Sequence, residues 1–258
     1  MAVEIVGLIG VLSMLALMAL RVPIAIAMMI PALIGTVYLK GWGTLATSVE
    51  STVWMHSFNY TLSTIPMFIL MGELLFVSGV TDELFAAFRS WFGKVRGGLS
   101  LATIGASAAF AAASGSSVAT TGTIGVISSK EMLKANYNRR LIGGSIVAGG
   151  TLGILIPPSN ILIIYGMLTG ESIGKLLIAG ILPGILLTVL FMITISLSVL
   201  INPQLAPRGE SSTWRERFVS IKNVLWILVL FVIVIGGMYL GWFSPTEAAG
   251  VGAFGSFV

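Results

Sequence analysis

Residues 97–129 decide the fold of this chain, and they read GGLSLATIGASAAFAAASGSSVATTGTIGVISS. Of these 33 residues, 25 are Gly, Ala, Ser or Thr and none is charged, and the stretch is flanked by Arg96 and Lys130. One straight helix of this length would extend about 50 Å, more than the roughly 30 Å hydrocarbon core of a bilayer. A fold at residues 114–117 gives two half-length helices whose basic ends lie on the same side of the membrane. The stretch therefore predicts a re-entrant hairpin, which is tolerated only where it is buried in protein or lines a cavity.

The composition indicates a membrane protein built of helices. The chain has 258 residues, of which 56% are hydrophobic and 9% charged, and its mean hydropathy is +1.02. Soluble domains of this size do not carry so many apolar residues, so we predict an all-α polytopic membrane protein. There is no cysteine, and the single histidine, His56, excludes a metal site with several histidines. The net charge of +4 comes from short basic clusters between apolar runs, a pattern that does not indicate a nucleic-acid partner.

Apolar runs divide the chain into spans. Residues 40–63 form a more polar connection, and residues 81–94 carry apolar side chains at helical spacing, which predicts an amphipathic helix along the membrane interface. Residues 202–223 predict a charged loop. Pro245 starts one more helix, which is too short to cross a bilayer by residue 258, so we expect a truncation there. The predicted spans are residues 5–20, 22–39, 64–80, 141–170, 173–201 and 224–240.

The basic residues predict one orientation of these spans. If the N-terminus is outside and the hairpin 97–134 enters from the cytoplasm, twelve of the fourteen Lys and Arg residues are cytoplasmic. Only Lys40 and Lys175 then lie outside. A single crossing by residues 97–129 would place the later basic clusters opposite the earlier ones, so the charges support the hairpin independently of its composition. The cytoplasmic residues are Arg21, Arg89, Lys94, Arg96, Lys130, Lys134, Arg139, Arg140, Arg208, Arg215, Arg217 and Lys222.

The tip of the predicted hairpin is the sequence SGSS at residues 114–117, and three threonines follow it closely. The first arm ends there with unpaired carbonyls, and the second begins with unpaired N–H groups. Carbonyls and hydroxyls suit a small cation, whereas N–H groups at the positive end of a helix dipole suit an anion. Small residues also let helices pack closely in membranes, and we assign that role to the Gly and Ala positions of the arms. For the tip itself we favour contact with an ion or a substrate.

A second interruption lies in the span 141–170, where residues 149–160 read GGTLGILIPPSN. Tandem prolines remove two backbone donors and disfavour helix just before them, which releases the carbonyl of Gly153, Leu155 or Ile156. In transporters, such carbonyls bind sodium, and the N-termini of half-helices face anionic substrate groups. The alternative is a proline kink without a ligand. We favour the site because two Gly- or Pro-interrupted segments occur in one chain.

Two acidic residues fall on predicted membrane helices. Glu73 lies inside the span 64–80, where a carboxylate is a functional candidate by default. It is equally compatible with pairing to another helix or with a protonated state, and these alternatives stay open. Glu247 follows Ser244 and Pro245 in the first turn of the last helix, so its predicted role is helix capping.

Three motifs, in order, resemble the large membrane subunit of tripartite ATP-independent periplasmic (TRAP) transporters. They are GASAAFAAASGSS at residues 105–117, GILIPPS at residues 153–159 and SPTEAA at residues 244–249, and the resemblance covers essentially the whole chain. It implies an elevator-type ion transporter superfold with inverted repeats, of which this chain would hold the first. Family members are longer, with a second hairpin and a second broken helix, so we expect an N-terminal portion.

The resemblance also implies a division of the chain into parts with separate roles. Residues 1–96 would form scaffold spans and an interfacial arm helix, and residues 97–201 half of a transport domain. Residues 202–223 would be a cytoplasmic loop, and residues 224–258 the truncated start of the second repeat. Carried over position by position, the family's first sodium site matches Ser114, Ser116, Gly153, Ile156 and Pro157. The candidate substrate contacts are Ser117, Thr121, Ser159 and Asn160.

The function implied is sodium-coupled import of organic acid anions, of the C4-dicarboxylate or sialic acid type, across the bacterial inner membrane. The implied partners are a small TRAP membrane subunit and a periplasmic substrate-binding protein, and sodium is the only cofactor. An alternative is a stand-alone divalent anion/sodium symporter of the same superfold. An intramembrane serine hydrolase would need a base near the serine cluster, and the hairpin up to residue 129 offers none, so we do not expect an enzyme.

Overall fold

The computed structural model describes residues 3–209 and 213–257, which fold into eleven α-helices and two 3-10 helices without a β-strand. Four helical segments are long and apolar enough to cross a membrane, and a fifth qualifies if two parts of α10, bent by 46°, count as one span. The all-α prediction is thereby confirmed. The α-helices are α1 (Val3–Ala19), α2 (Ile24–Ser57), α3 (Thr64–Val77), α4 (Val80–Phe92), α5 (Gly98–Ser114), α6 (Ser117–Lys134), α7 (Arg139–Leu155), α8 (Asn160–Thr169), α9 (Ile173–Ile201), α10 (Trp214–Tyr239) and α11 (Pro245–Phe257), and the 3-10 helices are Tyr60–Ser63 and Pro203–Leu205.

Helix α2 is much longer than the predicted span 22–39. Its backbone is interrupted at Gly41, which adopts φ 81° and ψ 168°, and the helix then continues to Ser57. Residues 44–57 contain neither Gly nor Pro, so nothing in their backbone stops a helix from resuming after the kink. The prediction of a polar connection over 40–63 is therefore wrong for most of that segment, because polar side chains by themselves do not prevent a helix.

The start of α10 also differs from the prediction. The helix begins at Trp214, ten residues before the predicted span, because Thr213 and Glu216 form a capping box. The Glu216 N–H donates to Thr213 Oγ1 at 3.3 Å, and the Thr213 N–H donates to Glu216 Oε2 at 2.9 Å. The predicted loop 202–223 is thus shorter than expected, and residues 210–212 of it lie outside the described residues. The capping role predicted for Glu247 is confirmed, since the Ser244 N–H donates to its Oε2 at 2.8 Å.

The chain divides into two compact units, Met1–Asn59 and Tyr60–Val258. The first unit contains α1 and α2. The second contains α3 and α4 together with both arms of the hairpin. The apolar face of the amphipathic helix α4, with Leu84 and Phe85 only 1% and 3% exposed, is buried in protein. The amphipathic pattern predicts instead that this face lies on the membrane interface.

Helix α5 is the centre of the second unit. Thirteen of its seventeen residues are buried, and α4, α6, α7 and α9 all pack against it. Gly105 of α5 leaves room for the ring of Phe88 in α4, and Gly149 of α7 lies directly against Ser107. The close approach depends on residues without bulk, as predicted for the Gly and Ala positions of the arms.

The second arm of the hairpin leads to Tyr137, which anchors the start of α5. Its hydroxyl is buried and accepts a hydrogen bond from the Leu99 N–H at 3.2 Å, which satisfies one of the first-turn donors of α5. Burial raises the pKa of this hydroxyl, and the hydrogen bond from Leu99 opposes the rise. The two ends of the hairpin are therefore held together at its base.

Candidate ion-binding site

The hairpin tip is a two-residue interruption between α5 and α6. Gly115 ends α5 with a left-handed backbone, at φ +60°, which glycine adopts at little cost. Ser116 then caps α6, because its hydroxyl accepts a hydrogen bond from the Ala119 N–H at 3.2 Å. Residues 97–129 are therefore two helices and not one rod, as predicted.

The second interruption separates α7 from α8 at residues 156–159. Pro157 and Pro158 are joined by a cis peptide bond and have no N–H, so the carbonyls of Gly153 and Ile154 lose the donors that a continuous helix would supply. The Ser159 hydroxyl compensates Ile154 with a hydrogen bond of 2.6 Å. Among the described residues, no such replacement reaches the Gly153 carbonyl.

The two interruptions touch each other. The Asn160 N–H donates to the Gly115 carbonyl at 3.2 Å, which joins the start of α8 to the hairpin tip. Gly115 lies so close to the Pro158 carbonyl that a Cβ at this position would overlap it. Gly153 is packed on the Ser116–Ser117 peptide, and a Cβ there would lie 2.7 Å from the Ser117 nitrogen. The ends of four helices thus converge on one point inside the second unit.

The hydroxyl groups at the tip form a short network. Ser114 is 4% exposed, and its Oγ lies 3.2 Å from Oγ1 of Thr120. The Thr120 hydroxyl donates to the Ser116 carbonyl at 2.7 Å, so this neighbour of the Ser114 hydroxyl already has a hydrogen-bond partner. Oxygen atoms from hydroxyls and carbonyls are the ligands that hard cations prefer.

A cavity of about 510 Å³ adjoins the tip on the side of α3 and α4. Ser114 and Ser116 line it from the hairpin, and Asn160 lines it from the helix break. Glu73 of α3 and Asp82 of α4 line it from the opposite side. Of the alternatives to a functional role for Glu73, pairing with another helix is absent in the described part of the chain, where its carboxylate has no ion pair.

The matching family model is that of the tripartite ATP-independent periplasmic transporter, DctM component, and it covers residues 11–258. This chain belongs to the family of TRAP large permeases. The C4-dicarboxylate TRAP transporter large permease protein DctM of Pseudomonas aeruginosa is 40% identical over 201 residues, 78% of this chain and 47% of that protein. The sialic acid TRAP transporter permease protein SiaT of Haemophilus influenzae is 33% identical over 255 residues, 97% of this chain and 40% of that protein.

A third relative is the ectoine TRAP transporter large permease protein TeaC of Halomonas elongata, 34% identical over 240 residues, 93% of this chain and 56% of that protein. The chain spans about half the length of the curated relatives it matches. All three relatives are named as permease proteins of TRAP transporters, which agrees with the expectation that the chain is not an enzyme.

In this TRAP permease, the five residues matched to sodium do not all meet. Ser116 and Gly153 are in direct contact, and Ser114 lies beside them. The side chains of Ile156 and Pro157 instead line a separate apolar pocket of about 250 Å³, and Ile156 packs on Gly184 of α9. For these two residues only a backbone carbonyl can contribute to the site.

The four candidate substrate contacts are also divided by the fold. Asn160 lines the cavity, whereas Ser159 is fully buried and uses its hydroxyl to close the helix break. Thr121 donates to the Ser117 carbonyl at 2.7 Å and packs against Gly150 of α7. The hydroxyls of Ser159 and Thr121 are therefore engaged within the protein in this structure.

The sequence placed Gly115 and Pro158 within the two interruptions but did not assign them to the site, where their backbones form the contact between tip and break. It also missed Thr81 and Asp82 in the wall of the cavity. The signal for Gly115 was available, because a Gly followed by a Ser marks the end of one helix and the cap of the next. The pair Thr81 and Asp82 carried no comparable signal, since both belong to an amphipathic helix that a surface role also explains.

Proposed function

We propose that this TRAP large permease couples import of organic acid anions to sodium, with the cation bound between the hairpin tip and the broken helix. The observation that carries the proposal is the direct contact of the two interruptions, through the Asn160 N–H and the Gly115 carbonyl at 3.2 Å. Two separate breaks that meet and leave the Gly153 carbonyl without a replacement donor favour a ligand over a simple kink.

In this proposal the cation joins two parts of the chain. The Ser114 and Ser116 side belongs to the hairpin, and the Gly153, Ile156 and Pro157 backbone belongs to the broken helix. A cation that binds both sides stabilises the arrangement in which they touch. Sodium and substrate are then coupled if the substrate also binds this arrangement more tightly than one in which the two parts are separate. A ligand shifts such an equilibrium only by the difference between its affinities for the two states.

The proposed substrate is an organic acid anion, C4-dicarboxylate or sialic acid, as the names of two relatives suggest. The N-termini of α6 and α8 face the site and present the positive ends of their dipoles. Ser117, Thr121, Ser159 and Asn160 remain proposed contacts of the substrate. The proposed partners are a small TRAP membrane subunit and a periplasmic binding protein. A stand-alone symporter is less well supported, because the relatives are named as parts of TRAP systems.

The proposed placement is in the bacterial inner membrane, with the N-terminus in the periplasm and the hairpin entering from the cytoplasm. This orientation leaves twelve of the fourteen basic residues on the cytoplasmic side. The hairpin and the broken helix would then move as part of an elevator-type transport domain. Since α3 and α4 share a compact unit with the hairpin, we extend that moving body to include them.

The test is thermal unfolding of the purified protein in sodium chloride and in choline chloride at equal ionic strength. A cation present at ten times its dissociation constant should add about 1.4 kcal/mol of stability. We expect a sodium-specific rise of the unfolding midpoint in the wild type and a smaller rise in Ser114→Ala, which removes a hydroxyl without adding bulk.

The matched control is Thr213→Ala, which removes a helix cap at the start of α10 and should keep the whole sodium response. An equal midpoint in both salts for the wild type would contradict the sodium site. Uptake into proteoliposomes, with the small subunit and the cognate binding protein added, then checks whether a sodium gradient drives import.

A further inference from the structure

The cavity beside the hairpin tip is acidic. Glu73 and Asp82 line it, and no basic side chain does so among the described residues. Neither carboxylate has an ion pair in the described part of the chain, where the ion pairs join Glu131 to Arg89 and Lys134. Two carboxylates without a counter-charge that face one concave space raise the local concentration of cations when they are ionised.

Two residues in the wall of this cavity carry neutral side-chain oxygens that lack hydrogen-bond partners. Thr81 is only 2% exposed and its hydroxyl is buried without a partner. Asn160 lines the cavity as well, and its side-chain oxygen Oδ1 is also buried without a partner. A buried oxygen without a partner is costly unless a ligand or water compensates it. These two atoms point to a ligand independently of the carboxylates.

The size of the cavity is sufficient for a cation with its hydration shell. About 510 Å³ is far more than a bare sodium ion needs, and it corresponds to roughly 17 water molecules at about 30 Å³ each. A hydrated cation fits this volume. Because Ser114 and Ser116 form part of the same wall, a cation in the cavity lies next to the tip without having to cross a further barrier of protein.

We infer that this cavity is the route by which the cation reaches the hairpin tip. Glu73 and Asp82 attract a hydrated alkali cation, and Thr81 and Asn160 replace part of its water as it approaches Ser114 and Ser116. The inference rests on the proposed sodium site at the tip. It adds that the carboxylates act through their field and are not ligands in the final site.

An alternative explanation of Asp82 supplies the matched control. Asp82 and Glu83 both lie in the first turn of α4, where an acidic residue stabilises the helix dipole. Only Asp82 lines the cavity. A variant Glu83→Gln therefore removes the same kind of charge from the same turn and leaves the cavity unchanged.

The experiment measures equilibrium binding of radioactive sodium to the purified protein at low and at high ionic strength, set with choline chloride. We expect Glu73→Gln combined with Asp82→Asn to raise the half-saturating sodium concentration about three-fold or more at low ionic strength. At high ionic strength the difference should largely disappear, because salt screens charges that do not touch the bound ion. The Glu83→Gln variant should bind as the wild type does.

The outcomes separate this inference from the sodium site itself. If the wild type binds sodium and the double variant is unchanged, or changes no more than Glu83→Gln, the route is wrong and the tip site stands. If the effect of the double variant persists at high ionic strength, the carboxylates are direct ligands and the inference is overturned. If the wild type binds no sodium, the proposed function fails, and this inference fails with it.

Discussion

Replacing Gly153 with alanine should separate the hairpin tip from the helix break. The added Cβ would lie 2.7 Å from the Ser117 nitrogen, and 2.8 Å and 2.9 Å from the carbonyl carbon and oxygen of Ser116. All three atoms belong to the backbone, so no side chain can rotate away and the two segments must move apart. Such overpacking costs about 1–3 kcal/mol.

The control is Gly144→Ala in the same helix, where the added Cβ meets nothing within 4 Å. Both variants gain the preference of alanine for helix, up to about 1 kcal/mol, so the difference between them isolates the cost of the contact. We expect Gly144→Ala to be at least as stable as the wild type and Gly153→Ala to be less stable than Gly144→Ala by about 1–3 kcal/mol.

The decisive assay compares unfolding midpoints of the two variants in sodium chloride and in choline chloride. Gly144→Ala should keep the full sodium-specific stabilisation, because its side of α7 is exposed. Gly153→Ala should lose most of it, since the carbonyl and the tip can no longer reach one cation. A Gly153→Ala protein with the wild-type sodium response would refute the idea that the contact between tip and break forms the site.

Three further variants test single contacts by thermal unfolding. Ser159→Ala removes the cap of α8 and the donor to the Ile154 carbonyl, so it should lower the free energy of unfolding by about 2 kcal/mol. Its control, Ser172→Ala, should be nearly neutral because Ser172 makes no side-chain cap bond. Tyr137→Phe should cost about 1–2 kcal/mol. Burial raises the pKa of Tyr137 in the folded protein. The stability that the protonated hydroxyl contributes is therefore complete below its ordinary pKa of 10.0 and is lost as the pH rises through the higher folded value. Tyr137→Phe has no group to titrate there, so it should lose less stability in alkali than the wild type. Glu247→Gln should lower the midpoint only slightly, and an unchanged midpoint at low salt would contradict its capping role.

The interruptions of helices were readable from the sequence because they depend on backbone chemistry. Pro157 and Pro158 cannot donate hydrogen bonds, so a break before them follows from their covalent structure. Gly115 allows a left-handed end to α5, and Ser116 supplies the next cap. The prediction was wrong where a polar segment indicated a connection between helices and the structure has a helix, as in the second half of α2.

The capping box at Thr213 is a local sequence pattern that already marks the start of α10, inside the segment predicted as a loop. Its pattern, Thr followed three residues later by Glu, marks a helix start in any sequence. The surrounding charges, including Arg215 and Arg217, instead suggested a loop. Charged residues can extend a helix beyond the apolar core of a membrane, so a charged segment does not by itself mark where a helix begins.

The sequence by itself determined that the chain is all-α, that it belongs in a membrane, and where its helices must break, because those features depend on composition and on neighbouring residues. Only the tertiary structure decided that the two breaks meet, that Gly153 lies against the Ser116–Ser117 peptide, and that Glu73 and Asp82 face one cavity. These relations depend on how α3, α4, α6 and α7 pack around α5, and that packing joins residues far apart in the chain. No local pattern specifies such distances, because they result from the whole set of helix contacts at once.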